Sequence, residues 1–332
     1  MTASVARREA HHTVRSTVIA SSLCAVLALC LATPMAAQGS SSRAASGLQR
    51  LLDAELAGFP GTAGVWVKHL TTGEEAAVNA DRAFNSASVI KIPVLLLAFQ
   101  LADQGKLSLT ERITIQASDV RGGSGVFRFH DAGLQPTLRD VLLQMIITSD
   151  NTATDIAIGK VGGIGPVNAM ITRAGYDQLQ LTMTTSELFA KYGALQPGNH
   201  DDKTINDPAY WLGSMTPRAT GRMLEDIQRC SDGATPAVAS KAACADMLRM
   251  FRAQQSGARR LPHFVSVPVG HKTGDFPPVL ANDVGIIYAR SGPIVVSFFL
   301  NGIHGPYGEA EDRIGRVAQL IVQYFDGVAP DR

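Results

Sequence analysis

The sequence predicts an α/β (α+β) fold of two lobes, in which an antiparallel sheet flanked by helices adjoins a second, mainly helical lobe. Two short apolar strands, 63–70 and 75–78, lie near the start of the chain, and three more, 264–272, 282–289 and 294–301, lie near its end. Strands at both ends of a chain pair most simply in one antiparallel sheet. The long segment between them is mostly helical and is expected to form the second lobe.

The helices are predicted from apolar residues that recur at positions three and four apart. Thr137 is the expected N-cap of the strongest helix, because its hydroxyl can accept a bond from an N–H group of the first turn. The segment 177–217 is rich in turn-forming residues and is expected to be mostly loop. The predicted helices span 47–57, 88–105, 137–148, 151–160, 218–229, 242–255 and 309–325.

Composition and charge restrict the class of protein. Of the 332 residues, 45% are hydrophobic and 18% are charged, which suits a globular chain with a sizeable core and excludes a disordered one. The 30 Lys and Arg residues balance the 29 Asp and Glu residues. With no strong field of either sign, neither a nucleic acid nor an acidic membrane is favoured as a partner.

The first 37 residues have the pattern of a secretory signal peptide. A basic segment that ends at Arg15 precedes an apolar run over 17–32, and small residues at Ala36 and Ala37 offer a cleavage point. A membrane anchor is the competing interpretation, but the run is shorter than the roughly 20 residues that a span needs. We therefore predict export to the periplasm or the medium, with cleavage and no membrane association of the mature chain.

Beyond the signal peptide, 1–37, we predict a flexible leader over 38–46 and one catalytic domain over 47–328. Its α/β lobe draws on about 47–84 and 262–328, and its helical lobe on about 85–261. The cleft between the two lobes is the expected position of the active site.

Export changes what the cysteines imply. Only Cys230 and Cys244 remain after cleavage, an even number in an oxidising compartment, which favours a disulfide between them. Such a bridge contributes on the order of 3 kcal/mol in the chain-entropy model. Two buried free thiols are the alternative. A metal site is not expected, because no second cysteine pair and no histidine motif accompanies them.

Three short motifs contain the residue types that acyl transfer needs. Ser88 and Lys91 are three positions apart at the start of a predicted helix, so a neutral Lys91 can accept the proton of the Ser88 hydroxyl. Residues 149–151 read Ser-Asp-Asn after the strongest helix, and residues 272–274 read Lys-Thr-Gly at the end of a predicted strand. Each motif alone also has a structural explanation, as a helix cap with a surface Lys, a helix stop, or the end of a strand.

In this order, the three motifs resemble those of class A serine β-lactamases and of the related penicillin-binding proteins. The resemblance covers about residues 48–325 and includes Phe84, Thr216-Pro217-Arg218 and Arg260-Leu261-Pro262. It implies a β-lactamase-like fold, a β-lactam as the small-molecule substrate and no cofactor. We also expect a monomer.

The resemblance implies a catalytic role for three residues. Ser88 attacks the lactam carbonyl, Lys91 is the candidate base, and Ser149 passes the proton to the departing nitrogen. The backbone N–H groups of Ser88 and Asp275 form the oxyanion hole, in which each donor contributes about 10²–10³ in rate.

The resemblance also implies the residues that bind substrate. Asn151 holds the acylamino side chain, and Lys272 and Thr273, followed by Gly274, bind the carboxylate. A fixed cation beside a hydroxyl suits an anion.

One element of the family pattern is missing. The family carries Glu-x-x-Leu-Asn in the loop after the second motif, and its Glu activates the water that hydrolyses the acyl-enzyme. Aligning Leu188 on that Leu places Thr185 at the Glu position and Phe189 at the Asn position. The nearest carboxylate, Glu187, is therefore the candidate deacylation base, with a solvated loop residue as the alternative.

Asp201 and Asp202, on the long segment 189–214, are further candidates for this base.

The main prediction is an exported serine hydrolase that opens β-lactam rings through a covalent acyl-enzyme. Thr185 favours one alternative, a penicillin-binding or sensing protein that is acylated with little turnover. The other alternative is a related hydrolase that acts on a D-Ala peptide or an ester.

Overall fold

The computed structural model of the protein describes residues 46–196, 198–235 and 237–327. The predicted signal peptide lies outside these residues, as does all of the predicted leader except Ser46. The hydroxyl of Ser46 accepts the N–H of Gln49 at 3.1 Å and so caps the first helix.

The described residues form ten α-helices, four short 3₁₀ helices and eight strands. The strands are β1 (Thr62–His69), β2 (Glu75–Val78), β3 (Phe84–Asn85), β4 (Gln180–Leu181), β5 (Gly213–Met215), β6 (Val269–Phe276), β7 (Leu280–Ala289) and β8 (Gly292–Asn301). The helices are α1 (Gly47–Leu56), α2 (Lys91–Asp103), α3 (Leu138–Ile147), α4 (Asn151–Lys160), α5 (Ile164–Arg173), α6 (Thr185–Gly193), α7 (His200–Asn206), α8 (Pro217–Asp232), α9 (Lys241–Arg252) and α10 (Tyr307–Asp326).

Strands from both ends of the chain pair in one antiparallel sheet, as predicted. Its order is β2-β1-β8-β7-β6, and β1 is paired with β8 along its whole length. Strand β6, which carries the Lys-Thr-Gly motif, is therefore an edge strand. The strands β3, β5 and β4 form a second, smaller sheet.

The two faces of the large sheet bury different sets of side chains, because successive side chains of a strand point to opposite faces. Phe298 of β8 packs with Leu52 of α1 and Ile314 of α10 in one core. Its neighbour Phe299 belongs to the other core, with Trp66 and the helices α2, α3, α8 and α9. The predicted two-lobed α/β fold is thus confirmed, with a helical layer beyond each face.

The position of β6 differs from the prediction of a strand over 264–272. The strand begins at Val269 and continues to Phe276, because each of its residues is paired with β7, from Val269 opposite Ile287 to Phe276 opposite Leu280. The Lys-Thr-Gly motif consequently lies inside the strand and not at its end.

The segment 177–217 contains more regular structure than predicted. It holds α6 and α7, and β5 lies between β3 and β4. Helix α6 begins with a capping box, in which Thr184 and Glu187 satisfy each other's backbone N–H groups. Helix α5 is a further element that the prediction omitted.

A disulfide links two helices of the helical layer. Cys230 of α8 and Cys244 of α9 are bonded, with their Cα atoms 5.9 Å apart.

Among the residues that the structure describes, no helix has the length and apolar character needed to cross a membrane.

Candidate active site

Ser88 lies in a tight turn that leads into α2. The turn is a 3₁₀ segment, Ala87–Ile90, so the α-helix begins at Lys91 and not at Ser88. Ala87 has a φ of 41°, a left-handed conformation that costs a residue with a Cβ atom about 1 kcal/mol or more. The turn is held by the N–H of Ala87, which donates to Asn85 Oδ1 at 3.0 Å, and by the Ser86 hydroxyl, which donates to Gly213 O at 2.8 Å.

Strand β6 packs directly against this turn at Gly274. A Cβ atom on Gly274 would lie 2.4 Å from the carbonyl oxygen of Ser86, so only glycine allows this approach. Gly274 therefore sets the distance between the strand and the turn. Ser88 and Asp275, the predicted oxyanion-hole residues, line the same cavity as a result.

The cavity beside Ser88 has a volume of about 460 Å³. It is open to solvent and combines predicted site residues with aromatic side chains. Its lining includes Ser88, Asn151, Thr185, Asp275, Leu188, Phe189, Tyr192, Tyr210 and Phe276. The remaining predicted residues, Lys91, Ser149, Lys272 and Thr273, are buried.

Lys91 is completely buried and is held by the second motif. Its ammonium donates to Ser149 O at 2.7 Å, to Ser149 Oγ at 3.1 Å and to Asn151 Oδ1 at 2.9 Å. Burial, reinforced by the nearby charge of Lys272, lowers the pKa of Lys91 well below its usual value. This shift moves Lys91 towards the neutral form that a base requires, in which the amine keeps two of its three N–H groups and gains a lone pair.

Ser149 lies between the two buried lysines. Its Oγ accepts a hydrogen bond from Lys91 at 3.1 Å and another from Lys272 at 3.1 Å. With both lone pairs engaged, the hydroxyl proton is free for a third group. Ser149 has a φ of 55°, a strained conformation of the kind that clusters at functional sites.

Lys272 is also completely buried. Besides Ser149 it donates to Thr273 O at 2.8 Å, so two of its three protons have partners. Burial lowers the pKa of Lys272 to about 8, against the attraction of Asp275 and Asp283. The hydroxyl of Thr273 is bonded to Ser256 Oγ at 2.8 Å, a partner that the sequence did not indicate.

Asp150 and Asn151 fix the loop at the rim of the cavity. The Asp150 carboxylate caps α4 through the N–H of Ala153 and also accepts the N–H groups of Val126 and Phe127. The Asn151 amide donates to Gly122 O at 3.0 Å while its oxygen accepts from Lys91. One N–H of the amide remains for a substrate carbonyl.

Arg260 holds the far side of β6. It is almost fully buried and donates to the Asp275 carboxylate, to Glu311 Oε1 at 3.0 Å and to Asn282 O at 2.9 Å. Tyr307 also donates to Asp275. These bonds fix the side chain of Asp275, whose backbone N–H is the second donor of the predicted oxyanion hole.

Thr185, at the position where the family carries Glu, lines the cavity and binds a carboxylate that the sequence analysis did not single out. Its hydroxyl lies 2.8 Å from Asp155 Oδ1, and its N–H donates to the same oxygen at 2.7 Å. Arg121 donates to Asp155 Oδ2 at 2.8 Å. The position of Asp155, one helical turn after Asn151 on α4, is the signal that would have identified it.

Glu187 does not reach the cavity, and the structure corrects its proposed role as the deacylation base. Its carboxylate accepts the N–H of Thr184 at 2.7 Å and the hydroxyl of Thr184 at 2.9 Å, and these bonds lower the pKa of Glu187. It is the capping residue of α6. Asp201 and Asp202 are exposed in the first turn of α7 and do not line the cavity either.

The fold and the site together define a two-lobed protein in which a serine lines an open cavity and two buried lysines bind the serine of the second motif. A family model described as the β-lactamase enzyme family matches residues 45–325. The chain belongs to this family.

Individual relatives agree with the assignment. A β-lactamase of Bacteroides uniformis is 26% identical over 313 residues, which cover 90% of this chain and 95% of the relative. The crystal structure of a β-lactamase from Sphaerobacter thermophilus DSM 20745 is 28% identical, with a TM-score of 0.71 over 86% of this chain and 98% of that one. A mutant of PBP-A, solved as an acyl-enzyme complex with penicillin G, has a TM-score of 0.70 at 21% identity over 84% and 96% of the chains, a likeness of fold.

Proposed function

We propose that the protein opens β-lactam rings by forming a covalent acyl-enzyme at Ser88 and hydrolyses this acyl-enzyme slowly. The observation that carries the proposal is the position of Ser149 Oγ, which accepts a hydrogen bond from both buried lysines. This arrangement supports proton transfer from the nucleophile to the leaving nitrogen without a histidine.

In the proposed acylation step, neutral Lys91 takes the proton of the Ser88 hydroxyl as Ser88 Oγ bonds to the lactam carbonyl carbon. The developing oxyanion is bound by the N–H groups of Ser88 and Asp275. When the C–N bond breaks, the nitrogen takes the proton of Ser149, which receives one from Lys91 in turn. The net result is transfer of one proton from Ser88 to the amine.

Substrate orientation is assigned to three polar groups and an apolar surface. The third proton of Lys272 and the hydroxyl of Thr273 bind the carboxylate of the substrate. The free N–H of Asn151 binds the carbonyl of its acylamino side chain. The aromatic residues Phe189, Tyr210 and Phe276 offer an apolar surface to the rest of that side chain.

Slow hydrolysis is proposed because no carboxylate replaces the family's Glu at position 185. General-base assistance contributes about 10²–10⁴-fold to such a step. Thr185 provides a hydroxyl instead, which supports the second candidate function, a penicillin-binding or sensing protein that is acylated once and turns over little.

The test combines a chromogenic cephalosporin with intact-mass spectrometry. We expect a stoichiometric burst, then slow turnover, and an adduct whose mass equals protein plus β-lactam. Ser88→Ala should show neither burst nor adduct, and an undiminished adduct in that variant would refute Ser88 as nucleophile. Sustained turnover without an adduct would favour an ordinary β-lactamase, and hydrolysis of a D-Ala peptide alone would favour the related peptidase.

We also propose that the chain is exported and cleaved near residue 37. The basic and apolar pattern of the first 37 residues and the bond between Cys230 and Cys244 support this. The N-terminal sequence of the protein recovered from the periplasm or medium tests it. An uncleaved chain in the cytoplasmic fraction would refute it.

A further inference from the structure

The hydroxyl of Thr185 connects the cavity to a carboxylate behind it. Thr185 is 1% exposed and lines the cavity together with Ser88. Its Oγ1 lies 2.8 Å from Asp155 Oδ1 and 3.2 Å from Asn151 O. The single hydroxyl proton goes to the carboxylate, the nearer and charged acceptor, so the lone pairs of Thr185 Oγ1 remain for a donor in the cavity.

Asp155 is held in one position by four donors. Its Oδ1 accepts the hydroxyl and the N–H of Thr185, and its Oδ2 accepts the N–H of Ser186 at 3.0 Å and Arg121 Nε at 2.8 Å. The side chain of Asp155 is 9% exposed. These contacts fix the carboxylate in an orientation in which its Oδ1 faces the Thr185 hydroxyl.

We propose that Thr185 holds the water that hydrolyses the acyl-enzyme, and that Asp155 accepts the proton of this water through the Thr185 hydroxyl. This inference rests on the proposed function and identifies the groups that perform its second step. Thr185 is the catalytic residue, since it touches the water. Asp155 is a positioning residue, which acts through Thr185.

The step balances as follows. The water oxygen bonds to the acyl carbon, one water proton passes to Thr185 Oγ1, and the original Thr185 proton passes to Asp155 Oδ1. The intermediate then collapses as its bond to Ser88 Oγ breaks. Ser88 takes the remaining proton of the former water, the product leaves as a carboxylate, and Asp155 returns its proton to solvent.

The geometry also explains why this route is slow. Protonation of Asp155 weakens the four bonds that stabilise its ionised form, and the ion pair with Arg121 most of all.

A different carboxylate lies in the cavity itself: of the described residues that line it, Asp275 alone carries one. Its Oδ1 is bound by Arg260 and Tyr307, so it is the competing assignment to be tested.

The experiment measures acylation and deacylation separately. Each variant is acylated with penicillin G, excess drug is removed, and loss of the adduct is followed by intact-mass spectrometry. Thr185→Val keeps the backbone bond to Asp155 and removes only the hydroxyl. We expect it to slow deacylation about 10²-fold with little change in the acylation burst, while Thr185→Ser stays near wild type.

Thr184→Val is the matched control, because it removes a neighbouring hydroxyl of the α6 cap that lies outside the cavity lining. It should deacylate at the wild-type rate. Deacylation of Thr185→Val at the wild-type rate, or an equal loss in both variants, would overturn the inference. A loss confined to Asp275→Asn would transfer the role to Asp275.

Arg121→Gln distinguishes proton transfer from a purely structural role of Asp155. If Asp155 accepts a proton, loss of the Arg121 charge makes protonation easier, and deacylation becomes several-fold faster. If Asp155 only anchors the start of α6, loss of Arg121 loosens the anchor, and deacylation becomes slower. Wild-type protein that forms no adduct and shows no turnover would instead refute the proposed function itself.

Discussion

The charge of Lys272 should control the recognition of β-lactam carboxylates within an accessible pH range. Burial lowers the pKa of Lys272 from 10.5 to about 8. A cation with this pKa is protonated below pH 8 and loses its charge as the pH rises. Between pH 7 and pH 9 the protonated fraction falls from about nine-tenths to about one-tenth, so the acylation efficiency for a carboxylate-bearing substrate should fall about ten-fold.

The assay is the apparent second-order rate constant of acylation at low β-lactam concentration, which reports the ionisation of the free enzyme. Lys91 must be neutral to act as a base, so its titration raises this rate constant with pH for every substrate. Measuring a penicillin beside its methyl ester removes that contribution, because only the free acid uses the charge of Lys272. The ratio of acid to ester should fall about ten-fold from pH 7 to pH 9. A constant ratio would refute Lys272 as the partner of the carboxylate.

Three further perturbations follow from individual contacts. Glu187→Gln weakens the capping box of α6 and should cost about 0.5–1 kcal/mol in the free energy of unfolding without trapping the acyl-enzyme; a trapped adduct would restore Glu187 as the base. Cys230→Ser with Cys244→Ser removes the bond between α8 and α9 and should lower Tm by on the order of 5–10 °C, and an unchanged Tm under oxidising conditions would contradict this. Gly274→Ala places a Cβ atom 2.4 Å from Ser86 O, so both the free energy of unfolding and the rate of penicillin labelling should fall. An unchanged labelling rate would show that the turn at Ser88 does not depend on this contact.

The sequence predicted the two-lobed fold and marked the three motifs as candidates for the site, but it did not predict the contacts between them. Lys91 is bonded to Ser149 and Asn151, which are 58 and 60 positions away in the chain. Local spacing on a helix says nothing about such contacts, and only the resemblance to a family connects them. The left-handed conformations of Ala87 and Ser149 are likewise invisible in the sequence, because neither residue is one that prefers positive φ.

The error at β6 has a physical cause. The prediction followed apolar residues and therefore ended the strand at Lys272, the first charged side chain. The strand continues because its backbone is paired with β7 and because Lys272 and Thr273, although polar, are fully buried with hydrogen-bonding partners. Hydrophobic patterning underestimates a strand wherever an active site places polar groups inside the core.

The capping role of Glu187 could have been predicted from the sequence. Thr184 followed three positions later by Glu187 is the pattern of a capping box, which predicts a helix start and assigns the carboxylate to the backbone. Two positions on an α-helix are about 200° apart, so a helix that turns Thr185 towards the cavity turns Glu187 away from it. The prediction treats this segment as a loop, for which this argument does not hold.

The two halves of the proposed reaction depend on groups of different origin in the chain. The proposed acylation uses Ser88, which follows the left-handed Ala87, together with Lys91 and Ser149, which are joined by buried hydrogen bonds. The proposed deacylation depends on the α6 segment, where a water bound to Thr185 is connected to the Asp155 carboxylate through the Thr185 hydroxyl. All the groups proposed for acylation are present, whereas the carboxylate proposed for deacylation acts only through another side chain. The acyl-enzyme should therefore accumulate. In the proposed mechanism, the contacts of one side chain, Thr185, with Asp155 therefore determine whether the protein mainly hydrolyses a β-lactam or only binds it.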